Sequence, residues 1–161
     1  MVTLTLTLTH IPRSAAEMLI RRTPAQVFEA FVDPAITNQF WFTRGSGRLE
    51  VGKEVTWEWG MYGISIPVTA RIIEPHRRLV IEWPGVSGAT TVEWKFTDRA
   101  GGHTFVEVTE SGFAGTGDEI VRQVADSTQG FSLTLAGLKA WLEHGIRLEL
   151  VRDRYPEGIA H

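Results

Sequence analysis

Between Thr116 and His144, apolar residues recur at alternating steps of three and four: Val121, Val124, Phe131, Leu135, Leu138 and Leu142, with Thr128 the one polar member of the series. Such steps line side chains along one stripe of an α-helix, here about 40 Å long at 1.5 Å per residue. Arg122, Asp126, Gln129 and Lys139 occupy the other side and suit water. Thr116 followed by Glu119 reads as a capping box at the start, and Asp118 and Glu119 place negative charge at the positive end of the helix dipole. Gly145 marks the stop, because glycine takes the left-handed conformation just past a last turn; Ile146 is then expected to fold back on Trp141. A stripe of this length has to be buried, and the rest of the chain must supply the surface.

That surface reads as an antiparallel meander. From Lys53 to Phe113, apolar and polar residues alternate in segment after segment: Val55-Trp57-Trp59, Ile64-Ile66-Val68-Ala70-Ile72, Leu79-Ile81-Trp83, Val92-Trp94-Phe96 and Thr104-Val106-Val108. Period two with one apolar face predicts strands covered on one side. Pro67 points to an edge position or a bulge. Upstream, Thr23-Pro24-Ala25-Gln26 opens a short helix with Val27, Phe28, Phe31 and Val32 on its buried side; Asp33-Pro34 ends it and caps a second short helix through Phe40. Glu17 to Arg22 is extended. Before it, Val2 to Thr9 alternates threonine and leucine, which predicts an interrupted first strand or leading arm whose open edge offers a means of homodimerisation. The expected organisation is a single domain over 1–161, with 1–13 as arm or first part of strand 1 and 146–161 as a C-terminal tail; 161 residues suffice for a real core.

Composition removes several function classes. The net charge of -3 and scattered arginines give no electrostatic footprint for nucleic acid. There is no cysteine, hence no disulfide and no cysteine metal site. No apolar run approaches the ~20 residues of a membrane span, and no basic-then-apolar leader opens the sequence, so a cytoplasmic location is expected.

In order, the chain runs strand, two short helices, antiparallel meander, long C-terminal helix: an α+β helix-grip fold, in which a curved sheet wraps a long helix. The stretch from Arg21 through Thr23-Pro24-Ala25-Gln26-Val27-Phe28 to Phe31 resembles the opening of START-like (SRPBCC) proteins, and Trp41 matches the aromatic that ends their second short helix. Leu138-Lys139-Ala140-Trp141-Leu142-Glu143-His144-Gly145 is similar to the closing motif of their heat-shock chaperone ATPase activator homologue (AHSA-type) branch, and Gly130-Phe131 falls where that branch usually has Gly-Trp. The resemblance covers Glu17 to Gly145. It implies a cavity between sheet and helix that takes a small molecule; superfamily members bind lipids, hormones or polyketides, and a few catalyse cyclisation or dehydration.

The residues nominate no catalytic constellation, metal site or cofactor. The five histidines fall on turns, termini and a helix end without metal-ligand spacing. Gly112 to Gly117 precedes a helix, but Asp118 and Glu119 would repel a phosphate. Glu54 and Glu58 share a strand face, as do Glu107 and Thr109, in the manner of any outward face. Ser127, Thr128 and Ser132 lie near the helix stripe with no histidine nearby in sequence to activate them. What stands out is aromatic: six tryptophans and eight phenylalanines, with Trp57, Trp59, Trp83, Trp94 and Phe96 at inward or near-inward strand positions. A curved sheet closing imperfectly on a straight helix leaves an apolar pocket, and Gly130 and Gly137 suggest close backbone approach within the helix. The expected ligand-binding residues are Phe28, Trp41, Trp57, Trp59, Ile66, Trp83, Trp94, Phe96, Thr128, Phe131 and Leu135, with indole N–H groups and Thr128 orienting a small, largely apolar molecule. Two alternatives stand beside this: an enzyme of the polyketide cyclase/dehydratase type in the same cavity, which would need a buried acid or base, and a co-chaperone-like protein-interaction module.

Overall fold

The period-two segments form strands of one sheet in the computed structural model, which describes residues 4–159. Among the described residues the strands are β1 (Ser14–Ile20), β2 (Arg44–Gly45), β3 (Glu54–Trp59), β4 (Ile64–Glu74), β5 (Arg78–Gly85), β6 (Gly88–Arg99) and β7 (His103–Ser111), and the helices are α1 (Pro24–Val32), α2 (Pro34–Thr37), α3 (Gly117–His144) and α4 (Leu150–Arg154). The sheet order is β1-β7-β6-β5-β4-β3-β2, every named pair antiparallel. This is the α+β helix-grip fold. The core lies between the inner face of the sheet and α1, α2 and α3, where Val55, Trp57, Leu79, Ile81, Val92, Trp94, Val106 and Val108 are buried.

The helix signals act as their chemistry dictates. Thr116 accepts from the Glu119 N–H while the Glu119 carboxylate accepts from the Thr116 N–H, and Thr23 and Gln26 do the same at α1. Asp33 caps α2 through the Ala35 N–H, but that helix ends at Thr37 and continues to Phe40 only as a turn. Gly145 is left-handed, its N–H bonded to Trp141 O and that of Ile146 to Ala140 O, so two of the last carbonyls of α3 are satisfied just past the stop.

Three expectations are corrected. The threonine-leucine arm is not a strand over residues 4–13: Ser14 already pairs with Glu110, one residue before β7 ends, so no ladder remains for an upstream extension. Val2 and Thr3 of that pattern lie outside the described residues. In β4 a bulge between Ala70 and Ile72 reverses the alternation, so that Ile73, opposite the buried Leu79, joins the core in place of Ile72. Pro67 does take an edge position, off the bulge: β4 has β3 beside it there, while its ladder with β5 stops at Thr69–Glu82 and leaves that side of the strand open. The buried stripe of α3 is Ile120, Phe131, Thr134, Leu135, Gly137 and Leu138, while Val121 is exposed and Thr128 only half-buried. Gly137 belongs to that stripe because a Cβ there would lie 3.1 Å from the Phe40 carbonyl oxygen, which marks the close approach that glycine allows.

The end of α3 is tied to β1 through Glu143. Its carboxylate accepts from the Arg21 N–H at 2.9 Å and from the Lys139 ammonium at 2.7 Å, and Lys139 also donates to Leu19 O. Burial pushes this carboxyl upward, and the hydrogen bonds from Arg21 and Lys139 with the nearby positive charge outweigh it, leaving it below the ordinary carboxylate value. A carboxyl lowered by folding adds stability above its unfolded value and loses it as pH falls through the folded one. Denaturant unfolding measured from pH 7 downward is therefore expected to show Glu143→Gln less stable than the parent at neutral pH, with the gap closing as the pH drops below the carboxylate range. A gap that stays constant with pH would remove Glu143 from the acid response.

Candidate ligand cavity

The ladder between β4 and β5 ends at the Thr69–Glu82 pair, yet both strands continue: β4 runs back to Ile64 along β3, and β5 runs on to Gly85 along β6. The two unpaired stretches and α3 flank a cavity of about 540 Å³ that is open to solvent on one side. Ile64 and Ile66 of β4, Trp83 and Pro84 of β5, Trp59 of β3, Phe131 of α3, and Trp41 from the segment after α2 form its apolar walls. Phe131 stacks on Trp83 at 6.1 Å between centroids and meets the Trp94 ring edge-on, so one part of its ring packs while another faces the cavity.

A polar row borders these walls. Glu110 of β7 is 7% exposed and lines the cavity. Its Oε1 accepts from the Ser127 hydroxyl at 2.7 Å, and its Oε2 accepts from the Thr90 hydroxyl at 2.5 Å and the Trp83 indole N–H at 2.9 Å. Ser127 has one proton and spends it on Glu110, so Ser14, 2.6 Å away, donates to Ser127. The register explains the convergence: Ser14 stands opposite Glu110 and Trp83 opposite Thr90, so β1, β7, β6 and β5 each contribute one member, and α3 adds Ser127. Sequence reasoning missed Glu110. The signal was present, because the alternation Thr104-Val106-Val108 continues inward to 110; a carboxylate at the next step was not followed. Ser127, not Thr128, turns inward, and the donor that Glu110 needs accounts for the rotated stripe.

The C-terminal tail forms one rim. The Tyr62 hydroxyl donates to Val151 O, and the Arg154 guanidinium donates to Asp126 Oδ1 at 2.8 Å and Gln129 Oε1 at 3.2 Å. A Cβ on Gly130 would stand 3.1 Å from Arg154 Nη1, so glycine there lets the guanidinium lie against α3.

Of the expected ligand-binding residues, Trp41, Trp59, Ile66, Trp83 and Phe131 line this cavity. Trp57, Trp94 and Leu135 are sealed in the core; the Trp94 N–H meets no acceptor among the described residues. Phe28 and Phe96 pack edge to face at 5.7 Å, away from the cavity, and Phe96 borders an open groove with Arg77, Arg78 and Lys95. Thr128 lies outside the cavity wall, and its carbonyl accepts from Ser132. Among the described residues no group of three or more histidines, cysteines or carboxylates is placed to hold a metal, and no helix is long and apolar enough to cross a membrane.

Because part of the Phe131 ring already faces empty space, Phe131→Ala is expected to cost less than the ~3–5 kcal/mol of a full-core phenylalanine, by about 1–2 kcal/mol. Phe31→Ala, at a ring 1% exposed and surrounded by Phe40, Trp41 and Trp94, is the reference. Denaturant unfolding of both variants gives the comparison; equal losses would mean that Phe131 is ordinary core.

Comparison with known proteins places the fold in a family. The family model described as "Activator of Hsp90 ATPase homolog 1-like protein" matches residues 21–143, which leaves Ser14 and the tail rim outside the matched range. No curated protein matches the sequence. Among solved structures, the protein SSP2350 from Staphylococcus saprophyticus is similar at 28% identity and TM-score 0.73, with 85% of this chain and 96% of that one covered. DynU16, described as a putative protein in the dynemicin biosynthetic locus, has 24% identity and TM-score 0.73 over 84% of this chain and 48% of its own. The Aha1 dimer from Colwellia psychrerythraea has 19% identity and TM-score 0.71, with coverage of 83% and 98%. With the family model spanning most of the chain and the helix-grip architecture in place, the chain belongs to the activator of Hsp90 ATPase homolog 1-like family, within the START-like proteins.

Proposed function

We propose that this protein binds one small, largely apolar molecule in the cavity between the open end of the sheet and α3. The observation that carries the reading is the combination of aromatic walls with a buried, convergent polar cluster: Trp41, Trp59, Trp83 and Phe131 around Glu110 and its donors. A volume of about 540 Å³ suits a molecule of drug-like size. Apolar walls supply affinity, and the fixed polar cluster supplies orientation.

A second reading, catalysis in the same cavity, draws on Glu110 itself, a buried carboxylate of the kind that acid-base chemistry needs. It ranks second because, among the described residues, the groups hydrogen-bonded to Glu110 are hydroxyls and an indole, none of which passes a proton onward as a second acid or base would. A third reading, association with another protein, has a likeness below 20% identity to an Aha1 dimer beside it, which speaks for fold. For self-association the arm is the candidate surface, with Leu4 and Leu6 exposed.

Binding is testable through the tryptophans of the wall. Titration with a neutral apolar probe such as phenylbutanol is expected to change the intrinsic fluorescence saturably with one site per chain. Ile66→Trp, which places a ring in the cavity, is expected to abolish that change while leaving the far-ultraviolet circular dichroism unaltered. Native mass spectrometry of the protein as purified should show a fraction carrying a small non-covalent adduct. No saturable response together with adduct-free protein contradicts the reading.

A further inference from the structure

The cavity carries a charge that its own side chains leave uncompensated. Two carboxylates and one guanidinium line it: Glu110, Asp126 and Arg154. Arg154 is held on Asp126 at 2.8 Å. Among the described residues Glu110 has only neutral partners, Ser127, Thr90 and Trp83. A carboxylate withdrawn from water is costly unless an opposite charge or a full set of donors replaces the solvent. The set here is one short. A carboxylate offers about four acceptor positions; two on Oε2 and one on Oε1 are taken, and one on Oε1 remains. Aromatic rings line the wall beside it, and an aromatic π-face attracts a cation and repels an anion.

From this we propose that the molecule bound in the cavity is an organic cation, a protonated amine on an apolar body, whose N–H donates to Glu110 Oε1 while the body lies against Trp41, Trp59, Trp83 and Phe131. The proposal rests on the binding reading above and names the ligand class. A carboxylic acid would bring a second negative charge beside Glu110. An alcohol would fill the same acceptor position with a weaker bond, since hydrogen bonds between ionised partners are roughly twice as strong as neutral ones.

Three probes sharing one body test it: phenylbutylamine, phenylbutanol and phenylbutanoate, titrated by tryptophan fluorescence at neutral pH. The amine is expected to bind at least about tenfold more tightly than the alcohol, a difference of about 1.4 kcal/mol, and the acid to bind more weakly than either. Glu110→Gln is expected to bring the amine and the alcohol to similar affinity while the alcohol still binds; Glu110→Met repeats the test if the glutamine variant does not fold. Alcohol binding as tight as the amine in the parent protein overturns the cation and leaves the cavity reading standing. An amine preference that survives in a folded Glu110 variant overturns the role of Glu110. Absence of binding by all three overturns the cavity reading and this proposal together.

Discussion

A 28-residue amphipathic helix cannot stay in water with its stripe exposed, and the curved sheet is what covers it. The two are unequal in length. At 1.5 Å per residue α3 runs about 42 Å, whereas nine to twelve strand residues reach roughly 30–40 Å before tilt and twist shorten the overlap. Burial is correspondingly uneven. Leu135, Gly137 and Leu138 are sealed beneath the sheet and Phe131 and Thr134 are buried at the cavity wall, while in the first three turns of α3 only Ile120 is buried and Val121 is exposed. The tight packing of one half, with Gly137 under the Phe40 carbonyl, fixes the helix; the looser half leaves room for a site.

That room coincides with a break in the sheet. Where β4 and β5 stop pairing, the sheet stops being a continuous wall, and Trp83 is left with one strand neighbour in place of two. Glu110, Thr90 and Trp83 form a hydrogen-bonded cluster there, braced from α3 by Ser127. An apolar residue at 110 would pack the same face without the desolvation penalty that a buried carboxylate carries. Position 110 is therefore hard to account for by stability, and its place on the cavity wall is what the proposed binding role draws on. The tail closes the rim through Tyr62 and Arg154, with Gly130 making space for the guanidinium.

Much of the architecture was legible because it depends on local chemistry. Capping boxes at Thr23 and Thr116, the left-handed Gly145 and period-two alternation act over a few residues, and they led to the helix-grip fold. Ile72, Thr128 and the arm were misread for a common reason: each depends on a partner distant in sequence. The bulge after Ala70 is set by pairing with β5, the inward turn of Ser127 by Glu110, and the end of β1 by where β7 stops. The aromatic residues were found as a group but could not be sorted, since Trp57 and Trp59 obey the same alternation and only the third dimension seals one and leaves the other on a wall. Glu110 was legible by parity, and was passed over because a charged residue is ordinarily taken for an outward one.

The central claim is that three of the six tryptophans border a binding cavity and the others do not. The indole region of a ¹H–¹⁵N correlation spectrum reports each ring separately. On saturation with a phenylalkyl probe, the N–H resonance of Trp83 should move most, because its N–H lies in the Glu110 cluster, and those of Trp41 and Trp59 should move with it. Trp57 and Trp94, sealed in the core, and Trp141, near the end of α3, should hold their positions. Shifts of comparable size at all six, or shifts confined to Trp57, Trp94 and Trp141, would contradict a site at the open end of the sheet.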